Sequence, residues 1–306
     1  MLRDATIDDA AAAVRLLTIV SPEMVFSVEG FRHNWASSPP EAWRTAWCVE
    51  DGDELVGWAV ATLMVETSEP GVGWIGVNVH PDRRRTGLGS ALLATAERHS
   101  TEIGMTRVLS FSRGDDPSAS FARSRGYDQT ASNEILVIDP REVEPPVPPE
   151  GVELKPYTAF VDDPRPIYHV DTTSVLDEPG EARFDAITYD SWLERLWRNP
   201  ALDHDASMVT LVDGVAVATT MLDTDRPSGR GQNNNTGTLP EHRGRGLATL
   251  AMQASLVRAA QLGCTVVYTG NDVTNAPMLA INRKLGYRLC TMLLSWGKTL
   301  AATSER

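Results

Sequence analysis

The sequence predicts an α+β protein made of two tandem copies of one unit, each a mixed, mostly antiparallel sheet flanked by helices. Three observations predict it: an internal repeat in near-constant register, a proline-rich stretch between the copies, and the same order of β-rich and helical patterns in each. The repeat is anchored by Pro81-Asp-Arg-Arg84-Arg85-Thr86-Gly87-Leu88-Gly89 and Pro240-Glu-His-Arg243-Gly244-Arg245-Gly246-Leu247-Ala248, 159 residues apart. Gly104 and Gly263 keep that spacing, and Gly126-Tyr127 stands 160 residues before Gly286-Tyr287. A repeat of this length occurring twice describes two domains with their own cores, not a solenoid. A chain of 306 residues suits that reading, since one domain takes about 150. Prolines 140, 145, 146, 148 and 149 stiffen the join. The expected division is therefore 1–140, a linker at 141–153, and 154–306.

Within the first copy, Ala46-Trp-Cys-Val49, Leu55 to Leu63 and Val72 to Val79 are β-rich runs, the first two separated by the turn signal Asp51-Gly52-Asp53. Gly87 to His99 follows with Leu88, Ala91, Leu92, Thr95 and Ala96 at helical spacing, and Val108-Leu-Ser-Phe111 is the next strand. The second copy repeats the order. Met208 to Val212, Asp213-Gly214, Val215 to Leu222, a strand near Asn235 to Leu239, a helix from Gly246 to Gln261, and Thr265 to Thr269 succeed one another.

Composition narrows the function. Asp and Glu number 41 against 28 Lys and Arg, a net charge of −13, which repels phosphate backbones and favours a cationic or neutral partner over nucleic acid. No apolar run approaches the roughly 18 residues that cross a bilayer, and the start, Met1-Leu2-Arg3-Asp4, carries acid where a signal peptide needs a basic and then apolar stretch. A cytoplasmic protein without membrane attachment is expected. Cys48, Cys264 and Cys290 have no metal-ligand spacing, so no metal is expected, and Cys264 is read as a small packing residue. His33 is read as a helix-surface residue and His242 as a neighbour of the turn.

A strand running into Arg-x-x-Gly-x-Gly/Ala and then a helix gathers free backbone N–H groups at a positive helix end, a seat for a pyrophosphate. The order is neither the dinucleotide fingerprint nor Walker A.

At these residues the sequence resembles the GNAT acetyltransferase superfamily, with tandem members among its relatives. The second signature of that family, Asn-x-x-Ala-x-x-x-Tyr-x-x-x-Gly-Phe, is approximated by Asn275 to Tyr287 and, more loosely, by Asp115 to Tyr127. The resemblance implies acetyl-coenzyme A as co-substrate and a small-molecule amine as acceptor. It implies a fourth and a fifth strand that splay, the fourth offering backbone groups of Val77 and Val79, or of Thr236 and Thr238, to the pantetheine amides. It implies a pyrophosphate on Arg85, Thr86, Gly87, Leu88, Gly89 and Ser90, or on Gly244, Arg245, Gly246, Leu247 and Ala248, with Arg84 or Arg243 closing each turn. Asn275, Met278 and Asn282 complete the expected cofactor set.

One departure matters. The tyrosine that serves the family as acid is Ala122 in the first copy and Asn282 in the second, and neither side chain is an acid. No carboxylate lies on either fourth strand. Glu66, Asp223 and Asp225 are near the preceding strands, and no base is assigned. The C-terminal copy is the favoured catalyst, because it keeps Asn275 where the first has Asp115. A non-catalytic acyl-coenzyme A sensor is the alternative. The acceptor would be chosen by Ser21 to Trp43 and Thr172 to Trp197, and the protein would be a monomer or a homodimer.

Overall fold

The computed structural model describes residues 1–177, 185 and 187–301. The first copy opens with β1 (Leu2–Asp4). A capping box, in which Thr6 N–H donates to Asp9 at 2.8 Å, starts the turn into α1 (Ala10–Val20). Ala10, Ala13, Val14, Leu16 and Leu17 form the buried stripe of α1, the 3–4 spacing of one helical face. Then come α2 (Val28–Ala36), β2 (Thr45–Asp51), β3 (Glu54–Leu63), β4 (Val72–Val79), α3 (Leu88–Glu102), β5 (Arg107–Arg113), α4 (Asp116–Ser124) and β6 (Asp128–Ile138). The second copy supplies β7 (Val152–Pro156), α5 (Arg165–Ser174), α6 (Tyr189–Trp192), β8 (Met208–Val212), β9 (Val215–Asp225), β10 (Arg230–Thr238), α7 (Leu247–Gln261), β11 (Val266–Asp272), α8 (Ala276–Leu285) and β12 (Arg288–Thr299).

Two compact units result, and they do not follow the 1–140 and 154–306 division. Among the described residues, one holds Met1–Asn133 with 292–301; the other holds 134–177 with 185 and 187–291. The C-terminal part of β6 thus belongs to unit 2 and the C-terminal part of β12 to unit 1, so the ends of the two last strands are exchanged. In unit 1 the order is β1-β2-β3-β4-β5-β12, with β12 antiparallel to β5 from Leu293↔Arg113 to Thr299↔Arg107. In unit 2 the order is β6-β11-β10-β9-β8-β7. The reason is side-chain fit: Trp296 is 1% exposed in the core of Trp47, Ile75, Leu92 and Val108, and its indole donates to Ser112 at 2.9 Å. Correspondingly, Leu136 and Ile138 join the unit 2 core of Leu222, Met252 and Leu256.

Each sheet is covered on both faces. In unit 1, Leu16 and Leu17 of α1 pack with Trp58 on one side, and Leu92 and Leu93 of α3 pack with Ile75 on the other. In unit 2, Ile167 and Val170 of α5 pack with Met221, while Met252 and Leu256 of α7 pack with Leu222. Adjacent residues of β9 therefore serve opposite layers, as strand alternation demands. Two expected boundaries move. Val152 and Glu153 belong to β7 and not to the linker, and β10 begins at Arg230, ahead of the expected start near Asn235. Its opening run, Arg-Gly-Gln-Asn-Asn-Asn, is polar and hides a strand whose asparagines find partners on β9 and α5.

Candidate functional site

The two Gly turns have the same geometry. Arg84 and Arg243 end short 3₁₀ turns with N–H donation to Pro81 and Pro240, each at 3.3 Å. The guanidinium Nε of Arg84 donates to the Val79 carbonyl at 3.5 Å, and that of Arg243 to the Thr238 carbonyl at 3.1 Å. Both side chains fold back across the turn. Gly87 and Gly246 then cap α3 and α7 at φ 91° and 74°, a left-handed conformation that costs other residues about 1–2 kcal/mol. A methyl added to Gly87, Gly244 or Gly246 would meet nothing within 4 Å. The concave side of each turn is thus open, with the first amides of a 15-residue helix behind it. Thr86 donates to the Arg83 carbonyl at 2.6 Å, Ser90 accepts from Arg125 at 2.5 Å, and Arg245 lies 3.1 Å from His242 Nδ1.

Above each turn two parallel strands part. β4 pairs with β5 at Val72↔Arg107, Gly73↔Val108 and Trp74↔Leu109, and the ladder goes no further although β4 runs to Val79. β10 pairs with β11 from Arg230↔Val266 to Asn233↔Thr269 and continues alone on that side to Thr238. The direction of the free groups follows from alternation. His80 N–H donates to Val56 on β3, so Val77 and Val79 turn their amides away from β3, into the opening. Leu239 N–H donates to Val217 on β9, which turns Thr236 and Thr238 the same way.

The copies differ where the strands part. In unit 1, Trp74 and Phe111 stack at 4.9 Å between ring centroids. At the corresponding ladder position β10 has Gln232, and β11 has Gly270 where β5 has Phe111. β10 also carries a bulge between Asn233 and Asn235 that β4 lacks. Its three asparagines hold three different groups. Asn233 donates to Thr220 at 2.6 Å and accepts from Thr236 at 3.0 Å. Asn234, the bulged residue, donates to Asp223 at 2.6 Å, and Asn235 donates to Asp171. Asp171, on α5, is 4% exposed and also accepts from the Trp192 indole at 2.7 Å; burial pushes its pKa up against these two donors. Asp223 retains partial solvent access, yet surrounding protein pushes it up to about 6, opposed only by the Asn234 hydrogen bond.

Residues 14–127 and 169–287 each match the model of the acetyltransferase (GNAT) family. The chain belongs to the GNAT family. It is an N-acetyltransferase of tandem architecture. A mycothiol acetyltransferase from Saccharomonospora viridis is 28% identical over 246 residues, 76% of each chain. A tandem GNAT protein from the clavulanic acid biosynthesis pathway superposes with TM-score 0.75 at 18% identity, covering 99% of both chains. A GCN5-related N-acetyltransferase from Sphaerobacter thermophilus gives 0.72 at 20% identity, covering 98% of this chain and 95% of that one.

The rest of the expected GNAT site set has other partners. Asn275 caps α8 by accepting from Met278 N–H at 3.3 Å, as Asp115 caps α4 by accepting from Ser118 N–H at 2.9 Å. Met278 packs on the unit 2 core. Asn282 is 0% exposed; its Nδ2 donates to Asn271 at 2.6 Å, while its buried Oδ1 has no hydrogen-bond partner among the described residues. Of the acids weighed as bases, Asp225 lies two residues beyond Asp223 on β9 and accepts from Ser228 at 3.0 Å through its main-chain carbonyl. Glu66 lies after β3 in the other unit. Part of the expected acceptor segment Thr172 to Trp197 lies outside the described residues. Sequence reasoning missed Asp171. A charged residue four positions after Ile167 on the buried stripe of an amphipathic helix was the available signal. No helix among the described residues is long and apolar enough to cross a membrane.

Proposed function

We propose that the protein transfers an acetyl group from acetyl-coenzyme A to the amine of a small cationic acceptor, and that the C-terminal copy performs the transfer. One observation carries the reading. The opening between β10 and β11, edged by Thr236 and Thr238, leads to a turn whose Gly246 side is unobstructed. Backbone of Thr236 and Thr238 would pair with the pantetheine amides. Amides of Gly244, Arg245, Gly246, Leu247 and Ala248 would receive the pyrophosphate at the helix end, with Arg243 closing the turn. Val77, Val79, Arg84, Arg85, Thr86, Gly87, Leu88, Gly89 and Ser90 form the same seat in unit 1. There the Trp74–Phe111 stack beside the opening favours a non-catalytic, acyl-coenzyme A-holding role.

The net charge of −13 suits a cationic acceptor, and the name of the mycothiol acetyltransferase relative puts a thiol-bearing amine first. The test is incubation of the chain and acetyl-coenzyme A with kanamycin, spermidine, cysteinyl-glucosamine and an alanine-led peptide. An N-acetylated product in the mass spectrum of at least one is expected. Binding of acetyl-coenzyme A with no product from any would leave the sensor reading in its place.

A further inference from the structure

We propose that Asp223 is the general base of the C-terminal copy, taking a proton from the acceptor ammonium, and that Asn234 is its positioning residue. This rests on the N-acetyltransferase reading above and adds to it a residue for the proton step.

The placement comes from register. Asp223 stands opposite Gln232 on β10, and Gln232 stands opposite Tyr268 on β11, so the three share one face of the sheet. That face is the one Met221 presents to α5. The row lies one pair before the last rung of the β10–β11 ladder, Asn233↔Thr269, where the strands part. The carboxylate is aimed by the bulge: Asn234 is the extra residue there, it is exposed, and its Nδ2 donates to Asp223 Oδ2 at 2.6 Å. Unit 1 lacks all three features. The residue opposite Trp74 on β3 is Thr62, β4 has no bulge, and Trp74 stacks on Phe111.

Among the described residues, the charged and titratable groups along this face include the following. Asp225 lies two residues along β9, and Arg230 stands opposite it on β10. Tyr268 is on β11, with Arg230 over its ring at 5.3 Å. Asp171 comes from α5 and is held by Trp192 and Asn235. None of these sets the ionisation of Asp223; burial raises it to about 6 and the Asn234 bond draws it down. The carboxyl is therefore ionised at neutral pH and still basic enough to accept a proton.

The step balances. The ammonium R–NH₃⁺ gives one proton to an Asp223 oxygen, and the freed nitrogen forms a C–N bond to the thioester carbonyl carbon. The C–S bond then breaks, its electron pair leaving on sulfur. The nitrogen's surplus proton passes to that thiolate, and Asp223 returns its proton to solvent. Asn282, occupied by Asn271, supplies no acid.

The experiment compares the full chain with Asp223→Asn and Asn234→Ala, using acetyl-coenzyme A and whichever of the four amines above is acetylated fastest. Asp223→Asn should lower kcat about 10²–10⁴-fold with calorimetric affinity for acetyl-coenzyme A unchanged. Wild type should show an acidic limb in kcat/KM near pH 6. Asn234→Ala removes a bond that favours the carboxylate, so its limb should move to higher pH while kcat recovers above the limb. Asp223→Asn acting within twofold of wild type would overturn the base and leave the acetyltransferase standing. A folded wild type that binds acetyl-coenzyme A and acetylates none of the amines would overturn both.

Discussion

Asn233, Asn234 and Asn235 are adjacent and chemically identical, and the sheet gives each a separate task because successive side chains leave a strand on opposite faces. Asn233 joins the threonines of the α7 side. Asn234 and Asn235, displaced by the bulge, both reach carboxylates on the α5 side. A consequence for stability follows from Asp223. Its folded pKa, about 6, exceeds the ordinary aspartate value, so the folded state holds this proton to higher pH than the unfolded state does. Stability from this group is complete below about pH 4 and is lost as pH rises through about 6. Asp223→Asn carries no charge to desolvate. Its melting temperature should exceed that of wild type by a few degrees at pH 7, with the gap closing toward pH 4. A gap that widens on acidification would contradict this.

Elements explain what was legible in the sequence and what was not. The Gly turns were readable because backbone geometry favours their residues: positive φ at Gly87, Gly244 and Gly246, with Arg85 at φ 64° the one non-glycine in that region of the two turns, and proline at the 3₁₀ start. The bulge was not readable. Register was anchored from Pro81 and Pro240 onward, while the inserted residue, Asn234, lies upstream: Gly71 and Gly229, whose carbonyls both accept from the start of the next parallel strand, are 158 residues apart. The exchange of β6 and β12 was equally hidden. Local pattern marks a strand but not the sheet edge that receives it, and the edge is chosen by fit around Trp296. Trp296→Ala should cost about 3–5 kcal/mol, lowering the urea midpoint of unit 1 while leaving acetyl-coenzyme A affinity at Gly246 intact. A loss under 1 kcal/mol would mean that the strand is not held by this side chain.

At the scale of the molecule, two copies of one fold have kept the same turn and diverged where the chemistry would occur. Unit 1 placed an aromatic stack beside the opening; unit 2 placed a bulge and a carboxylate there. The linker boundary near 141–153 marks the end of a copy, not the end of a folded unit, since the core of unit 1 includes Trp296 and Leu300. A fragment of residues 1–140 should therefore expose the apolar surface that Trp296 and Leu300 cover. It should bind a hydrophobic dye or aggregate, whereas co-expression with 141–306 should restore a soluble pair. A monomeric fragment 1–140 with a cooperative melt would contradict the exchange.

The claim that the C-terminal turn is the working donor seat is tested most directly by calorimetric titration of acetyl-coenzyme A into wild type, Gly87→Glu and Gly246→Glu. The account predicts that Gly246→Glu, which sets a carboxylate in the anion seat, loses that site and all acetyl transfer, while Gly87→Glu keeps transfer at the wild-type rate. Transfer surviving in Gly246→Glu and lost in Gly87→Glu would contradict it, as would a folded wild type that takes up no acetyl-coenzyme A.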